Sequence, residues 1–236
     1  MAAARTASAL ALAVLLLAAR GAPAAADLTD TEHRWLAGAT PPVAWALKQG
    51  MPIDIVVLPQ AEPGAAPLAM GYEDGRCKLV FAMRGNPAAE ATLAAIPAPL
   101  LQATLEAMTA HEIGHCQRHR SGAFDSLPGG LADKPDVIET SQPTAELQAM
   151  AREMRITRRE EAFADLVGLA WTHARHADQY AQVLSWFDAA RSDETPRGFH
   201  DTRHWLKLAH DADAFTDTAS PFEQAATLWQ RGLLDD

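Results

Sequence analysis

The feature that most restricts what this chain can form is a pair of histidines four residues apart, His111 and His115. Four residues make about one helical turn, so on a helix both imidazoles project from the same face. Neutral imidazole is a good zinc ligand, and two rings one turn apart can converge on one ion. The segment therefore predicts a helix that carries half of a metal site.

Glu112 directly follows the first histidine and is turned by about 100° from it around the helix. From that position a carboxylate can reach a zinc-bound water rather than the ion itself. Zinc lowers the pKa of such a water toward 7, and the carboxylate can accept the proton and later pass it on. We predict that Glu112 is a general base. The alternative is a solvated polar helix face on which both histidines are incidental.

Two histidines do not complete a zinc site, so a third ligand is required. His119 lies on the same helix, but it is about 12 Å along the axis from His111 and cannot join both other histidines. The metzincin pattern would need a glycine and a histidine at the positions occupied by Arg118 and Ser121. That arrangement is excluded.

A better source of the third ligand is the acidic segment at residues 160–165. Glu161 and Asp165 lie one helical turn apart, so Glu161 can bind the metal while Asp165 accepts the free ring N–H of a histidine ligand. Glu160 is the weaker choice because Ala164, four residues on, cannot accept such a bond. The alternative is that the acids only occupy the first turn of a helix, where carboxylates are favoured.

The two segments together resemble the gluzincin metallopeptidases, which share His-Glu-x-x-His followed on a later helix by Glu-x-x-x-Asp. Residues 160–169 are most similar to the prenyl-protein endopeptidase and heat-shock membrane metallopeptidase group. The resemblance implies a zincin-like fold, Zn²⁺ bound by His111, His115 and Glu161, Glu112 as general base, and Asp165 as the partner of a histidine. The chain departs from that group because it lacks the transmembrane helices and the His-Pro pair before the closing arginine.

Residues 198–204 stand where that pair would be. Related peptidases use a late histidine, tyrosine or arginine to stabilise the oxyanion that forms when water attacks a carbonyl. His200 and Arg203 are the candidates for this catalytic role, with His204 behind them. The alternative is that a helix begins at residues 201–202 and that these side chains form its solvated first turn.

The rest of the chain predicts an α+β fold, with a small antiparallel sheet followed by a mostly helical half that carries the site. Residues 53–58 are β-rich, and residues 68–72 and 77–83 flank an Asp-Gly turn as a hairpin. We expect exposed backbone at residues 77–83 to pair with a substrate. Helices are expected from about Thr144, and again from Arg158 to about His176.

Residues 121–143 are rich in Gly, Pro, Asp and Ser and predict a long surface loop. Such loops are usually functional lids or disordered insertions. Cys77 and Cys116 allow two interpretations, a disulfide formed in an oxidising compartment or two buried thiols that act as small apolar residues.

Residues 1–26 have the pattern of a signal peptide, with Arg5, an apolar run over residues 7–19 and three alanines at a cleavage site. This predicts an exported protein, periplasmic or secreted, with one domain at residues 27–236 and no stable membrane insertion after cleavage. The alternative is an uncleaved anchor. The net charge of -10 argues against nucleic acid or anionic lipid as a partner, since both demand a basic face.

The predicted function is that of a zinc metalloendopeptidase, in which Glu112 activates zinc-bound water to hydrolyse a protein or peptide substrate. Two alternatives stay open: an exported zinc-binding scaffold or chaperone without turnover, and a zinc amidase that acts on cell-wall peptides. Glu112 favours an enzyme over a scaffold, because a pure binding site has no use for a carboxylate after the first histidine.

Overall fold

A computed structural model describes residues 27–134, 143–192, 194–211, 213–216 and 219–236. The predicted signal peptide and residues 135–142 of the predicted 121–143 loop lie outside these ranges. Within them the chain forms a three-stranded sheet and seven α-helices, which confirms the α+β class. In the same ranges no helix is both long enough and apolar enough to cross a membrane.

The sheet consists of β1 (Ile53–Val57), β2 (Leu68–Glu73) and β3 (Arg76–Phe81) in the order β1-β3-β2. The hairpin of β2 and β3 is antiparallel, but β1 pairs with β3 in parallel. The prediction of a purely antiparallel sheet is therefore wrong, and the sheet is mixed. The cause is the connection between β1 and β2, which crosses the width of the sheet and leaves room for β3 between them.

A turn at Asp74 and Gly75 closes the hairpin, with φ of 51° and 74° at these two residues. Positive φ at both central positions is what a two-residue hairpin turn requires, and Asp-Gly is among its preferred pairs. The Asp-Gly signal thus identified the position of the turn.

The described residues also form seven α-helices, in chain order α1 (Asp30–Lys48), α2 (Pro87–Ala95), α3 (Leu101–Arg120), α4 (Ala145–Arg175), α5 (Tyr180–Ser192), α6 (Arg203–Ala209) and α7 (Pro221–Leu233). The two helices predicted on either side of Arg158 form one continuous helix, α4, because neither Pro nor Gly interrupts the sequence between them. One apolar core lies between α1, the sheet and α3, and a second lies among α3, α4, α5, α6 and α7. Helix α3 borders both.

Glycines let α3 and α4 approach each other closely. A Cβ on Gly114 would lie 3.1 Å from the Cα of Ala164, and one on Gly168 would lie 2.7 Å from the carbonyl oxygen of Ala107. Real side chains do not tolerate the second distance, so the two backbones meet only because Gly168 has no side chain. This contact brings the acidic face of α4 against the histidine face of α3.

Candidate metal centre

Three ligand atoms converge where α3 faces α4. The Nε2 atoms of His111 and His115 lie 3.2 Å apart. The carboxylate of Glu161 places Oε2 3.5 Å from Nε2 of His111 and Oε1 3.3 Å from Nε2 of His115. Ligands about 2.0–2.1 Å from a tetrahedral zinc ion stand about 3.3–3.4 Å from one another. The three side chains are thus spaced as metal ligands are, and the group could hold a metal ion.

Asp165 fixes the orientation of the first histidine. Its Oδ1 lies 2.8 Å from Nδ1 of His111, which leaves Nε2 directed at the other two ligand atoms. Asp165 is fully buried, and its Oδ2 accepts a hydrogen bond of 2.6 Å from the hydroxyl of Thr202. A carboxylate held in this way makes the imidazole a more basic ligand.

The charges of this group are strongly coupled. Burial would lower the pKa of His111, but the hydrogen bond to Asp165 and the charge of Glu161 outweigh it and raise that pKa to about 9. Burial would raise the pKa of Glu161, but the hydrogen bond with His115 and the charge of His111 lower it to about 2. Burial also opposes ionisation of Asp165, yet the charge of Arg191 and the hydrogen bond with His111 keep its pKa well below the usual range. These interactions favour the protonated form of His111 and the ionised forms of Glu161 and Asp165.

Glu112 lies beside the ligands on the cleft side of α3 and is not one of the three converging groups. Burial raises its pKa, while interactions with His111, with His115 and with the backbone N–H of Met70 act in the opposite direction. A carboxylate with a raised pKa next to a metal site is suited to take up a proton and to release it again.

Arg191, in the last turn of α5, is a site residue that the sequence reasoning missed. Its Nε and Nη2 lie 3.1 and 2.9 Å from the carboxylate oxygens of Asp165, and Nη2 lies 3.3 Å from Oε2 of Glu161. An arginine near a helix C-terminus is usually a solvent-facing cation that the helix dipole favours. No local pattern in the sequence distinguished it from such a cation.

Glu160, the rejected alternative ligand, has a different partner. Its carboxylate accepts two hydrogen bonds from Arg118, at 2.8 Å from Nε and 2.6 Å from Nη2, and it is 3% exposed. One residue along a helix is a rotation of about 100°, so Glu160 points away from the histidines while Glu161 points at them. The structure brings Glu161, and not Glu160, to the ligand group.

The late candidates for oxyanion stabilisation are placed differently from one another. His200 lines the cleft, with Nε2 4.0 Å from Oε1 of Glu161 and 48% of its side chain exposed. Arg203 is not brought to the cleft, since its Nε lies 2.6 Å from Asp201 and it lines a separate cavity. His204 contacts the carbonyl oxygen of Gly232 at 3.1 Å. Arg203 and His204 therefore form the first turn of helix α6, as the alternative interpretation expected. His200 lies in the cleft, next to the three converging side chains.

The exposed sheet edge at the cleft is β2 and not residues 77–83, so that expectation is wrong. β3, which contains most of that segment, is paired on both sides. Glu73 and Arg76 form the hydrogen-bonded pair that closes the hairpin. Hydrogen-bonded pairs alternate along an antiparallel ladder, so the odd-numbered residues of β2 make the backbone hydrogen bonds to β3. Leu68, Met70 and Tyr72 therefore direct their backbone N–H and C=O groups away from β3.

His119 forms part of the cleft wall. Its ring stacks on Tyr72, with centroids 5.1 Å apart, and on Phe124, with centroids 3.6 Å apart. It thus links the β2 edge to the segment that follows α3.

Cys77 and Cys116 form a disulfide, which decides between the two interpretations of this pair. Both residues are fully buried. The bond ties β3 to α3 directly after His115, so it fixes the helix that carries both histidines of the candidate site.

Comparison of the chain with protein-family models, with curated proteins and with solved structures found no match in any of the three. What the site does has to be inferred from its own residues.

Proposed function

We propose that the protein is a zinc-dependent metalloendopeptidase with a zincin-like fold. The observation that carries the proposal is the triangle of ligand atoms from His111, His115 and Glu161, with Glu112 beside it on the cleft side. Two imidazole nitrogens and one carboxylate oxygen are a donor set that suits zinc, and catalytic zinc sites keep three protein ligands and one open position.

The bound ion would supply Lewis acidity, which polarises a carbonyl and makes a water molecule acidic enough to attack near neutral pH. Glu112 accepts the proton of the attacking water. It then passes that proton to the amine that leaves when the C–N bond breaks. Its raised pKa makes the carboxylate a stronger base, which favours the first of these transfers.

His200 completes the proposed chemistry. Its ring nitrogen lies 4.0 Å from Oε1 of Glu161 on the cleft surface, within reach of a substrate bound at the three ligands. An N–H donor there stabilises the negative charge that develops as water attacks. Arg191 has another task, because its contacts with Asp165 and Glu161 position the ligands and neutralise one of their charges.

The free edge of β2 supports a peptide substrate over a smaller amide. The backbone groups of Leu68 and Tyr72 and the carbonyl of Met70 point away from β3 and can pair with an extended chain, as in other cases of strand addition, while the N–H of Met70 bonds to Glu112. The disulfide supports export to the periplasm or the medium, since disulfides persist in oxidising compartments. The signal peptide at residues 1–26 and the single domain at residues 27–236 stay predictions.

The experiment compares the wild-type protein with Glu112→Gln, and with Glu62→Gln as a control for the loss of one exposed carboxylate. Zinc content is measured by mass spectrometry, and hydrolysis is measured on a library of unstructured peptides. Glu112→Gln should bind zinc as the wild type does and lose at least about 100-fold in hydrolysis, the contribution typical of general acid–base catalysis. Zinc-loaded Glu112→Gln that cleaves at the wild-type rate would refute the mechanism. Zinc binding by a wild type that cleaves no peptide would favour the scaffold.

A further inference from the structure

We propose that the cleft has a second arm, between residues 121–134 and the N-terminal half of α4, and that the substrate is an unfolded polypeptide segment that fills both arms. This rests on the proposed function. It adds a second binding subsite and a substrate class, and it predicts that short amides are poor substrates.

The first arm runs from the metal ligands toward α5. It is a cavity of about 510 Å³. Its wall away from the ligands is largely apolar and is formed by Leu68, Met108, Trp186, Phe187 and Ala190. Such a surface accepts an apolar side chain next to the reacting bond.

The second arm lies on the other side of the ligands and is a cavity of about 520 Å³. Its lining includes Ala149, Arg152, Ile156 and Thr157 from α4. His115, Phe124 and Glu161 line both cavities. The two arms therefore meet at the metal ligands, and a chain that lies across the reaction centre can extend into each of them.

The wall of the second arm opposite α4 is held by a buried ion pair. Arg118 and Glu160 are 7% and 3% exposed, and both also bind the segment that follows α3. Nη2 of Arg118 donates to the carbonyl oxygen of Ser126 at 2.8 Å, and the backbone N–H of Asp125 donates to Oε1 of Glu160 at 3.1 Å. Removing either partner of such a buried pair is costly, so this wall is kept in place before any substrate binds.

A second ion-pair group holds the far end of the same segment. Asp133 accepts hydrogen bonds from Arg155 at 3.0 Å and from Arg159 at 2.8 Å, and both arginines are almost completely buried in α4. Because both walls are already fixed, the second arm loses little conformational entropy when a ligand enters, and this favours binding.

The chemistry of the second arm suits a polypeptide. Apolar surface from Phe124 and Ile156 lies beside the charged side chains of Asp125, Arg152 and Glu153. None of these three forms an ion pair with another residue in the described part of the chain. An extended chain presents backbone donors and acceptors with alternating side chains, whereas a small amide would occupy only one arm.

The test uses Ala149→Trp, which fills the second arm from an exposed position on α4, and Gln148→Trp, a matched change at the neighbouring exposed residue that does not line it. Peptides of about four to about twelve residues are extended at each end in turn, since each residue adds about 3.3 Å of reach. Their kcat/KM is measured on the zinc-loaded protein, and their affinity for zinc-loaded Glu112→Gln is measured by fluorescence anisotropy.

Extension at one end should raise both kcat/KM and affinity by tenfold or more. Ala149→Trp should remove that gain, and Gln148→Trp should retain it. If both variants keep the gain, or if the wild type shows none, the second arm is refuted. Affinity that depends on Ala149 without hydrolysis of any peptide would support the arm and refute the proposed function.

Discussion

The affinity of the site for zinc should depend steeply on pH because the metal competes with a proton. Nδ1 of His111 is bound to Asp165, so the proton that the ion must displace is the one on Nε2. With the pKa of His111 raised to about 9, roughly one metal-free molecule in a hundred has this nitrogen free at pH 7. The apparent affinity for zinc at pH 7 is therefore about 100-fold weaker than at high pH, where this nitrogen is fully deprotonated. The difference corresponds to about 2.7 kcal/mol of binding free energy.

The sign follows from the raised pKa, since a proton held in the metal-free site opposes binding below pH 9 and no longer does so above it. The apparent Kd should therefore fall about tenfold for each pH unit between about 7 and 9 and then level off. Competition with a chelator of known pH dependence measures the Kd, and calorimetry in buffers of different ionisation enthalpy counts the protons released. We expect about one proton per zinc at pH 7.

Asp165→Asn is the matched variant for this experiment. It removes the carboxylate that holds the proton on His111, so the pH at which affinity levels off should move downward. An affinity that does not change between pH 7 and 9, or binding that releases no proton, would refute the reasoning.

Two further predictions concern the scaffold that positions the ligands. Gly168→Ala places a Cβ 2.7 Å from the carbonyl oxygen of Ala107 and should lower the free energy of unfolding by about 1–3 kcal/mol while weakening zinc binding. Gly129→Ala meets no atom within 4 Å and is the control in chemical denaturation, so equal losses in the two variants would contradict the close contact of α3 and α4. Replacing Cys77 and Cys116 by serine opens a loop with a sequence separation of 39 and should cost about 4 kcal/mol in the same assay. Unchanged stability after that double replacement would contradict the structural role of the disulfide.

The arrangement of the candidate ligands could be predicted from the sequence because it depends on helical periodicity. His111 and His115 share a face of α3, and the spacing of Glu161 and Asp165 selected Glu161 over its neighbour Glu160. Such relations are fixed within one turn of helix and need no knowledge of the rest of the fold.

The features that could not be predicted from the sequence depend on contacts between distant segments of the chain. Arg191 reaches Asp165 only because α5 packs against α4, and no local pattern marks that arginine. The edge strand at the cleft is β2 because β3 pairs on both sides, a choice that hairpin signals do not decide. Arg203 was a reasonable candidate by type, but its position at the start of α6 directs it to Asp201 instead.

The binding of zinc by the wild type, Glu161→Gln and Glu160→Gln tests the central claim most directly. We predict one zinc ion per chain in the wild type and a loss of more than about 100-fold in affinity for Glu161→Gln, because even partners outside the ligand set contribute 10–100-fold. Glu160→Gln should retain zinc binding, although the loss of its pair with Arg118 lowers stability. A wild type that binds no zinc, or loss of binding in Glu160→Gln alone, would contradict the proposed metal centre.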